Sequence, residues 1–322
     1  MFRCDPNKIV WDEKLGGGAF GSIHPFRKSP EEKKWVVKAV HANSVTDIIK
    51  SMQEIVIGFS CDHPSILPIK GYHLLTVKGK SRGWEVITKM PRMKGDLRGL
   101  INNYKLAEKS VDEIDILKLL YSLGSALEYL HKRKIAHRDI KPENILVSDE
   151  GIVQLADIGA GMLVQEDETS FTVNTRGTTP IYLAPETNLK TAKLTTRDLF
   201  KSDLWSLGVV TGELCSLGRI LNKESQQAIS AKVEEKLSSK YSKPCVEIIL
   251  GLLQVDTQNR FTTSQLIQAL EINFPEMFLI NNKTLFLSEN FLSVRLLIEH
   301  NQLTGLKACT RSNRENSSCK YR

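Results

Sequence analysis

The sequence predicts an α+β chain of two lobes, a small β-rich N-terminal one with a single helix and a larger, mainly helical C-terminal one. Three observations carry this. Between Ile9 and Lys89, short runs rich in β-branched residues, WVVKAV at Trp35–Val40 and WEVIT at Trp84–Thr88, alternate with glycine and charged turns, as strands joined by tight connections do. Further on, Leu117, Leu120, Leu123, Leu127 and Leu130 recur at helical spacing. Later still, Asp203–Leu217 (DLWSLGVVTGELCSL) is apolar on most faces, the pattern of a buried helix.

Bulk properties narrow the class. A chain of 322 residues exceeds one ordinary compact domain, so one large or two modest cores are expected, with room for a tail. The net charge of +7 is unevenly placed, because Lys307–Arg322 holds five basic residues against one acidic one. The body is therefore close to neutral, and it lacks the interleaved basic and aromatic residues of a nucleic-acid binder. Six scattered cysteines without a CxxC pair argue against a zinc site or a disulfide framework and for reduced thiols, in the cytoplasm or the nucleus. The N-terminus has no apolar run of signal length, and no uncharged apolar stretch reaches bilayer-spanning length, so no membrane association is expected.

Taken in order, LGGGAFGSI places Gly16, Gly18 and Gly21 at GxGxxG spacing, which lets backbone amides approach phosphates without a Cβ in the way. A dinucleotide site would need a helix directly after the third glycine. Here Pro25, Pro30 and the β-rich WVVKAV follow, so a glycine-rich loop between two strands, folded over a nucleotide, is preferred. Lys38 sits at the centre of VVKAV. A helix over Ser44–Phe59 would carry Glu54 towards it, forming an ion pair that holds the lysine against the α and β phosphates. The small lobe ends after WEVIT, at a glycine-containing turn before Asp96. Ser110 with Glu113 forms an expected capping box for the leucine-striped helix.

Then comes HRDIKPEN, His137–Asn144, an acid, basic residues and an amide within one short loop, a concentration that phosphoryl transfer needs and a solvated loop does not. Two short strands, ILV and IVQL, joined by the turn SDEG, should bring Asp157 back beside that loop. Residues 159–179 are polar and threonine-rich and close at Ala184–Glu186 (APE). Further helices are expected to about Phe274. Beyond it MFLI, LFL and FLSVRLLIEH suggest helices docked on the large lobe, and Lys307–Arg322 is a basic tail expected to be disordered.

In this order and at these separations the motifs resemble the eukaryotic protein kinase family, serine/threonine branch, over Ile9–Phe274. The resemblance implies a bilobal protein kinase fold: an extension at 1–8, a small lobe at about 9–89, a large lobe at about 94–274, a helical extension at 275–306 and a tail at 307–322. It implies Mg-ATP as phosphoryl donor and protein Ser/Thr hydroxyls as acceptors. Asp139 matches the residue that accepts or orients the substrate's hydroxyl proton, Lys141 the lysine on the transferring phosphoryl group, and Asn144 and Asp157 the two Mg²⁺ ligands. Gly16, Gly18, Gly21, Ile23, Val36, Lys38, Glu54, Asp96 and Leu146 match nucleotide-binding positions, with Asp96 at the ribose. Glu186 and Arg260 match the pair that ties down the activation segment, and Asp203 the residue that braces the HRD backbone.

Arg138 before the catalytic aspartate implies control by phosphorylation, through an upstream kinase or autophosphorylation, at Thr175, or at Thr172 or Thr178, with Thr179 facing the substrate. GDLRGLI and GELCSLG are similar to NIMA-related kinases. Two positions depart from the pattern. Ile158 stands where phenylalanine is usual after Asp157, and Gly58 stands where a large apolar residue should stack on it, so a space in that stack is expected to weaken the active arrangement. Val36 stands where alanine is common and should narrow the nucleotide pocket. The competing reading is a pseudokinase that uses the fold as a nucleotide-binding scaffold.

Overall fold

The computed structural model describes residues 3–18, 21–27, 34–77, 83–158, 162–163, 171–172, 180–188, 193–218, 220, 229–278 and 285–293. Thr175, Thr178, Thr179 and the tail from Lys307 lie outside them.

The small lobe is one antiparallel sheet. Strands β1 (Gly16–Gly18), β2 (Gly21–Pro25) and β3 (Trp35–Ala42) precede helix α1 (Val45–Ser60), and β4 (Gly71–Val77) and β5 (Gly83–Pro91) follow it. Their order across the sheet is β1-β2-β3-β5-β4, which puts β3 at the centre. The period-two pattern of VVKAV decides what each face does: Val37 and Ala39 are buried with Cys4, Ile9, Phe26 and Ile87, while Lys38 is carried on the opposite face with Val36. Helix α1 starts where Ser44 and Asp47 form a reciprocal capping box. Residues 3–9 lie against the sheet rather than apart from it, since the Cys4 N–H donates to the Tyr72 carbonyl at 3.0 Å.

The large lobe begins with β6 (Gly95–Asp96), α2 (Leu97–Leu106) and α3 (Glu113–Lys132). Asp96 caps α2, accepting from the Gly99 N–H at 2.8 Å. The capping box expected at Ser110 and Glu113 does not form. Asp112 is the N-cap, and the Glu113 carboxylate accepts instead from the N–H and hydroxyl of Ser242 at 2.6 and 2.7 Å. The leucine stripe of α3 is fully buried.

Strand β7 (Ile135–Ala136) leads into the HRD loop, and β8 (Ile145–Val147) and β9 (Val153–Leu155) form the hairpin after it, followed by the short pairs β10 (Met162–Leu163) with β7 and β11 (Phe171–Thr172) with β12 (Lys193–Leu194). The buried helix, α4 (Thr196–Ser216), starts seven residues earlier than its apolar run, at a Thr195–Asp198 capping box. Helices α5 (Ile229–Leu237), α6 (Lys243–Leu252) and α7 (Thr263–Asn273) complete the bundle.

Residues 285–293 dock on this lobe. The Leu287 N–H donates to the Gly151 carbonyl at 3.0 Å. The N–H and hydroxyl of Ser288 both donate to the fully buried carboxylate of Asp115, and Phe291 packs 5.4 Å from Tyr104 between ring centres.

Candidate active site

The two lobes meet around a cleft of about 530 Å³ lined by β1, β2, β3, α1, the segment after β5 and the HRD loop. Gly16, Gly21, Ile23, Val36, Lys38, Glu54, Asp96, Asn144, Leu146 and Asp157 all line it. Among the glycines, Gly21 has a φ of +118° and lies against the Ala39 carbonyl, so the fold itself requires glycine there. A Cβ at Gly16 would meet nothing, so its lack of a side chain serves whatever enters the cleft. Gly18 pairs with Gly21 at the turn end of β1 and β2.

Three parts of the fold converge on Lys38. Its place in β3 turns it to the cleft, α1 brings Glu54 within 3.0 Å, and the chain after β9 brings Asp157 within 2.9 Å. Burial alone would pull the Lys38 ammonium down, but the two carboxylates outweigh it and hold its pKa above the usual lysine value. The carboxylates share one cation unequally. Burial pushes Glu54 up, with the Asp157 charge adding to it, whereas Asp157 is held below the carboxylate range because Lys38, with help from His137 and Lys141, outweighs its own burial.

The HRD loop is fixed from below. The buried Asp203 of α4 accepts from the N–H groups of His137 and Arg138 at 2.9 and 2.8 Å, and from the His131 ring at 2.9 Å. The His137 ring, fully buried, donates through Nε2 to the Ala156 carbonyl at 3.1 Å, which leaves Nδ1 to accept from the Asp139 N–H. Arg138 and Asp157 both adopt left-handed backbone, φ 67° and 61°, a conformation that costs a non-glycine residue about 1–3 kcal/mol unless its surroundings impose it. These bonds impose it. Above them, Lys141 Nζ lies 2.7 Å from Asp139 Oδ2, and Asn144 Nδ2 donates to the carbonyl and carboxylate of Asp139 at 2.8 and 3.0 Å.

With its Nδ2 so committed, Asn144 turns its amide oxygen the other way, and Asp157 keeps one carboxylate oxygen beyond the one on Lys38. An amide oxygen and a carboxylate oxygen are the hard donors Mg²⁺ takes, with phosphate and water completing its shell. The donor set fits that ion. No group of three or more His, Cys, Asp or Glu residues suited to a metal occurs among the described residues.

The place of a side chain on Gly58 is partly taken. Ile69, just before β4, presses its side chain into the place where a Cβ on Gly58 would stand, and Ile158 is buried in the large-lobe core. Gly58, Ile69 and Ile158 all line the cleft. Glu186 and Arg260 pair at 2.6 and 3.0 Å, with Arg260 wholly buried, and Lys201 donates to the Arg260 carbonyl.

Sequence reasoning missed one cluster. Arg98 of α2 donates to Glu143 of the HRD loop at 2.9 Å, to Glu213 of α4 at 2.8 Å and to the Tyr182 hydroxyl, which itself donates to Glu213 at 2.7 Å. Burial, then the Glu213 carboxylate, raises the Tyr182 pKa well above its ordinary value. These residues are 45 to 115 positions apart from Arg98, and no local pattern could have joined them.

A family model described as the protein kinase domain matches residues 9–270. The chain is 27% identical over 277 residues to serine/threonine-protein kinase Nek2 of Homo sapiens, covering 83% of this chain and 59% of Nek2. It is 25% identical over 287 residues to the probable serine/threonine-protein kinase nek1 of Dictyostelium discoideum, covering 83% of this chain and 56% of that protein. An Aurora kinase of Candida glabrata is 28% identical over 259 residues, 77% of this chain and 66% of its own length. The chain thus spans between half and two thirds of the length of these relatives. With the family match covering most of its length and the cleft built from the residues described, the chain belongs to the protein kinase domain family.

Proposed function

We infer that this chain is a serine/threonine protein kinase that transfers the γ-phosphoryl group of Mg-ATP to serine or threonine hydroxyls of protein substrates. The observation that carries this is the closed constellation: Lys38 bridging Glu54 and Asp157 on one side of the cleft, with Asp139, Lys141 and Asn144 bonded together on the other.

In this reading Lys38 orients the α and β phosphates, and the glycine-rich turn lets backbone amides approach them. Asp139 orients the acceptor hydroxyl and takes its proton, while Lys141, already beside Asp139, steadies charge on the transferring group. Asn144 and Asp157 would hold Mg²⁺, which when bound neutralises charge on the phosphate oxygens. Phosphorylation in the activation segment, at Thr175 or its neighbours Thr172 and Thr178, would act through Arg138, whose backbone Asp203 already fixes.

The test is incorporation of labelled phosphate from Mg-ATP into a Ser/Thr peptide library by the purified full chain and by an Asp139→Asn variant. Transfer that the variant abolishes supports the kinase. The second reading, a nucleotide-binding scaffold, is motivated by Ile158 and Gly58, and Mg-ATP binding without transfer to any protein would favour it. The Lys38, Glu54 and Asp157 ion pairs, formed with Gly58 and Ile158 in place, favour the kinase reading.

A further inference from the structure

Residues 285–293 lie beyond the family match, which ends at residue 270, and their hold on the large lobe turns on one side chain. Ser288 donates its N–H to Asp115 Oδ1 at 2.8 Å and its hydroxyl to Asp115 Oδ2 at 2.5 Å. The same hydroxyl oxygen accepts from the Phe291 N–H at 3.1 Å, capping the helical turn over 289–293. Leu287, Phe291 and Leu292 are buried around it, Leu287 bonded to Gly151 and Phe291 set against Tyr104. Ser288 itself is half-buried, and the exposed Glu289 and Asn290 follow it.

Asp115 is the third residue of α3, fully buried, and no cation pairs with it among the described residues. The two Ser288 donors and the positive end of α3 offset its charge. Burial first, then the charges of Asp115 and Asp112, push the Tyr104 hydroxyl well above its ordinary pKa, so the field here is already negative. A phosphoryl group on Ser288 Oγ would remove the O–H donor and set about 1.5 to 2 further negative charges against the buried carboxylate. A phosphate at a helix N-terminus is ordinarily favourable. Here the carboxylate decides the sign, because it is stripped of water and at contact distance, whereas the helical turn offers only a partial charge.

We propose that Ser288 is a phosphorylation site that the chain's own kinase activity modifies only while residues 285–293 are undocked, and that the phosphate then keeps them undocked. This rests on the kinase reading above. The exclusion runs in both directions. A docked hydroxyl is spent on Asp115 and cannot reach an active site, and a phosphorylated one cannot return to Asp115. In the transfer, the bond from the γ-phosphorus of ATP to the oxygen bridging it to the β-phosphate breaks, and a bond from that phosphorus to Ser288 Oγ forms. ADP leaves, and the hydroxyl proton passes to Asp139 of the molecule acting as enzyme and from there to water.

The experiment incubates the full chain with Mg-ATP and a Ser/Thr peptide library and maps phosphate on both by mass spectrometry, with Asp139→Asn as the blank. Phe291→Ala and Asp115→Ala, which loosen docking from opposite sides, are run in parallel, and each Ser288 rate is taken relative to the same protein's rate on the library. Ser288 should gain phosphate in all three, about tenfold faster in the two variants than in the unsubstituted chain. Hydrogen exchange of the phosphorylated chain should show protection over 285–293 reduced about tenfold against Ser288→Ala, which loses the hydroxyl and keeps the N–H. Phosphate on the library but none at Ser288 in any of the three proteins overturns the proposal and leaves the kinase reading standing. Equal relative rates in the three overturn it too, as does a phosphorylated chain whose amides over 285–293 stay protected. Phosphate on neither library nor chain overturns the kinase reading, and this proposal with it.

Discussion

The two walls of the cleft are held by different physics. On the large-lobe side, one buried carboxylate, Asp203, gathers two backbone N–H groups and a histidine ring, so the loop bearing Asp139 is shaped by folding itself. On the small-lobe side, Lys38 spans carboxylates from α1 and from the segment after β9, so that wall is held by charge across a gap. The difference teaches that the first wall should resist everything except disruption of the core. The second should respond to titration, to ligand and to packing behind α1.

The largest effect expected is on chemistry at the charged wall. Lys38→Met should lower phosphoryl transfer about 10²- to 10³-fold, the scale of losing one preorganised electrostatic partner, as read by initial rates of labelled phosphate incorporation. A loss below tenfold would break the comparison. On the folded wall, Asp203→Ala removes the acceptor from three donors and should cost about 3 kcal/mol in urea unfolding. A change under about 1 kcal/mol would mean that the loop is shaped by something else.

Gly58→Leu, which restores the side chain usual in the family, should destabilise by about 1–3 kcal/mol because Ile69 already occupies the space. Adding Ile69→Ala should recover part of that loss. Additive effects in the double variant would sink the idea of a shared space.

The smallest effect is the pH dependence of the charged wall. Glu54 is raised and Asp157 lowered, so as pH falls the first of the two to take a proton is Glu54, at a pH above the ordinary carboxylate range. Lys38 then loses its tie to α1, and Mg-ATP affinity should decline as pH falls, a limb that Glu54→Gln should flatten. For stability the sign is opposite. A raised carboxyl binds its proton more tightly folded than unfolded, so its contribution is present at low pH and is lost as pH rises through the folded value. A pH-independent affinity in the unsubstituted chain would count against the unequal sharing of Lys38.

The catalytic loop was legible because its groups sit within eight consecutive residues, and Lys38 because period-two alternation fixes which face a strand residue takes. What could not be read depends on partners distant in the chain. Glu113 fits a local capping box, yet its carboxylate serves Ser242, 129 positions on. The start of α4 was missed because TRDLFKS lacks an apolar period and begins on a cap, Thr195, whose signal is a single residue pair with Asp198. Gly58 suggested a void because sequence comparison sees a missing side chain but not the isoleucine that takes part of its place.

The docked segment at 285–293 bears on where this kinase domain ends as a unit of folding. The family match stops at residue 270, yet Asp115, inside the bundle, receives both its hydrogen bonds from Ser288. A fragment cut at Phe274 would keep every residue of the cleft and lose both donors to the Asp115 carboxylate together with the packing of Phe291 on Tyr104. The boundary of the chemistry and the boundary of the stable body are therefore different places in this chain, and the second lies at least as far as Phe291.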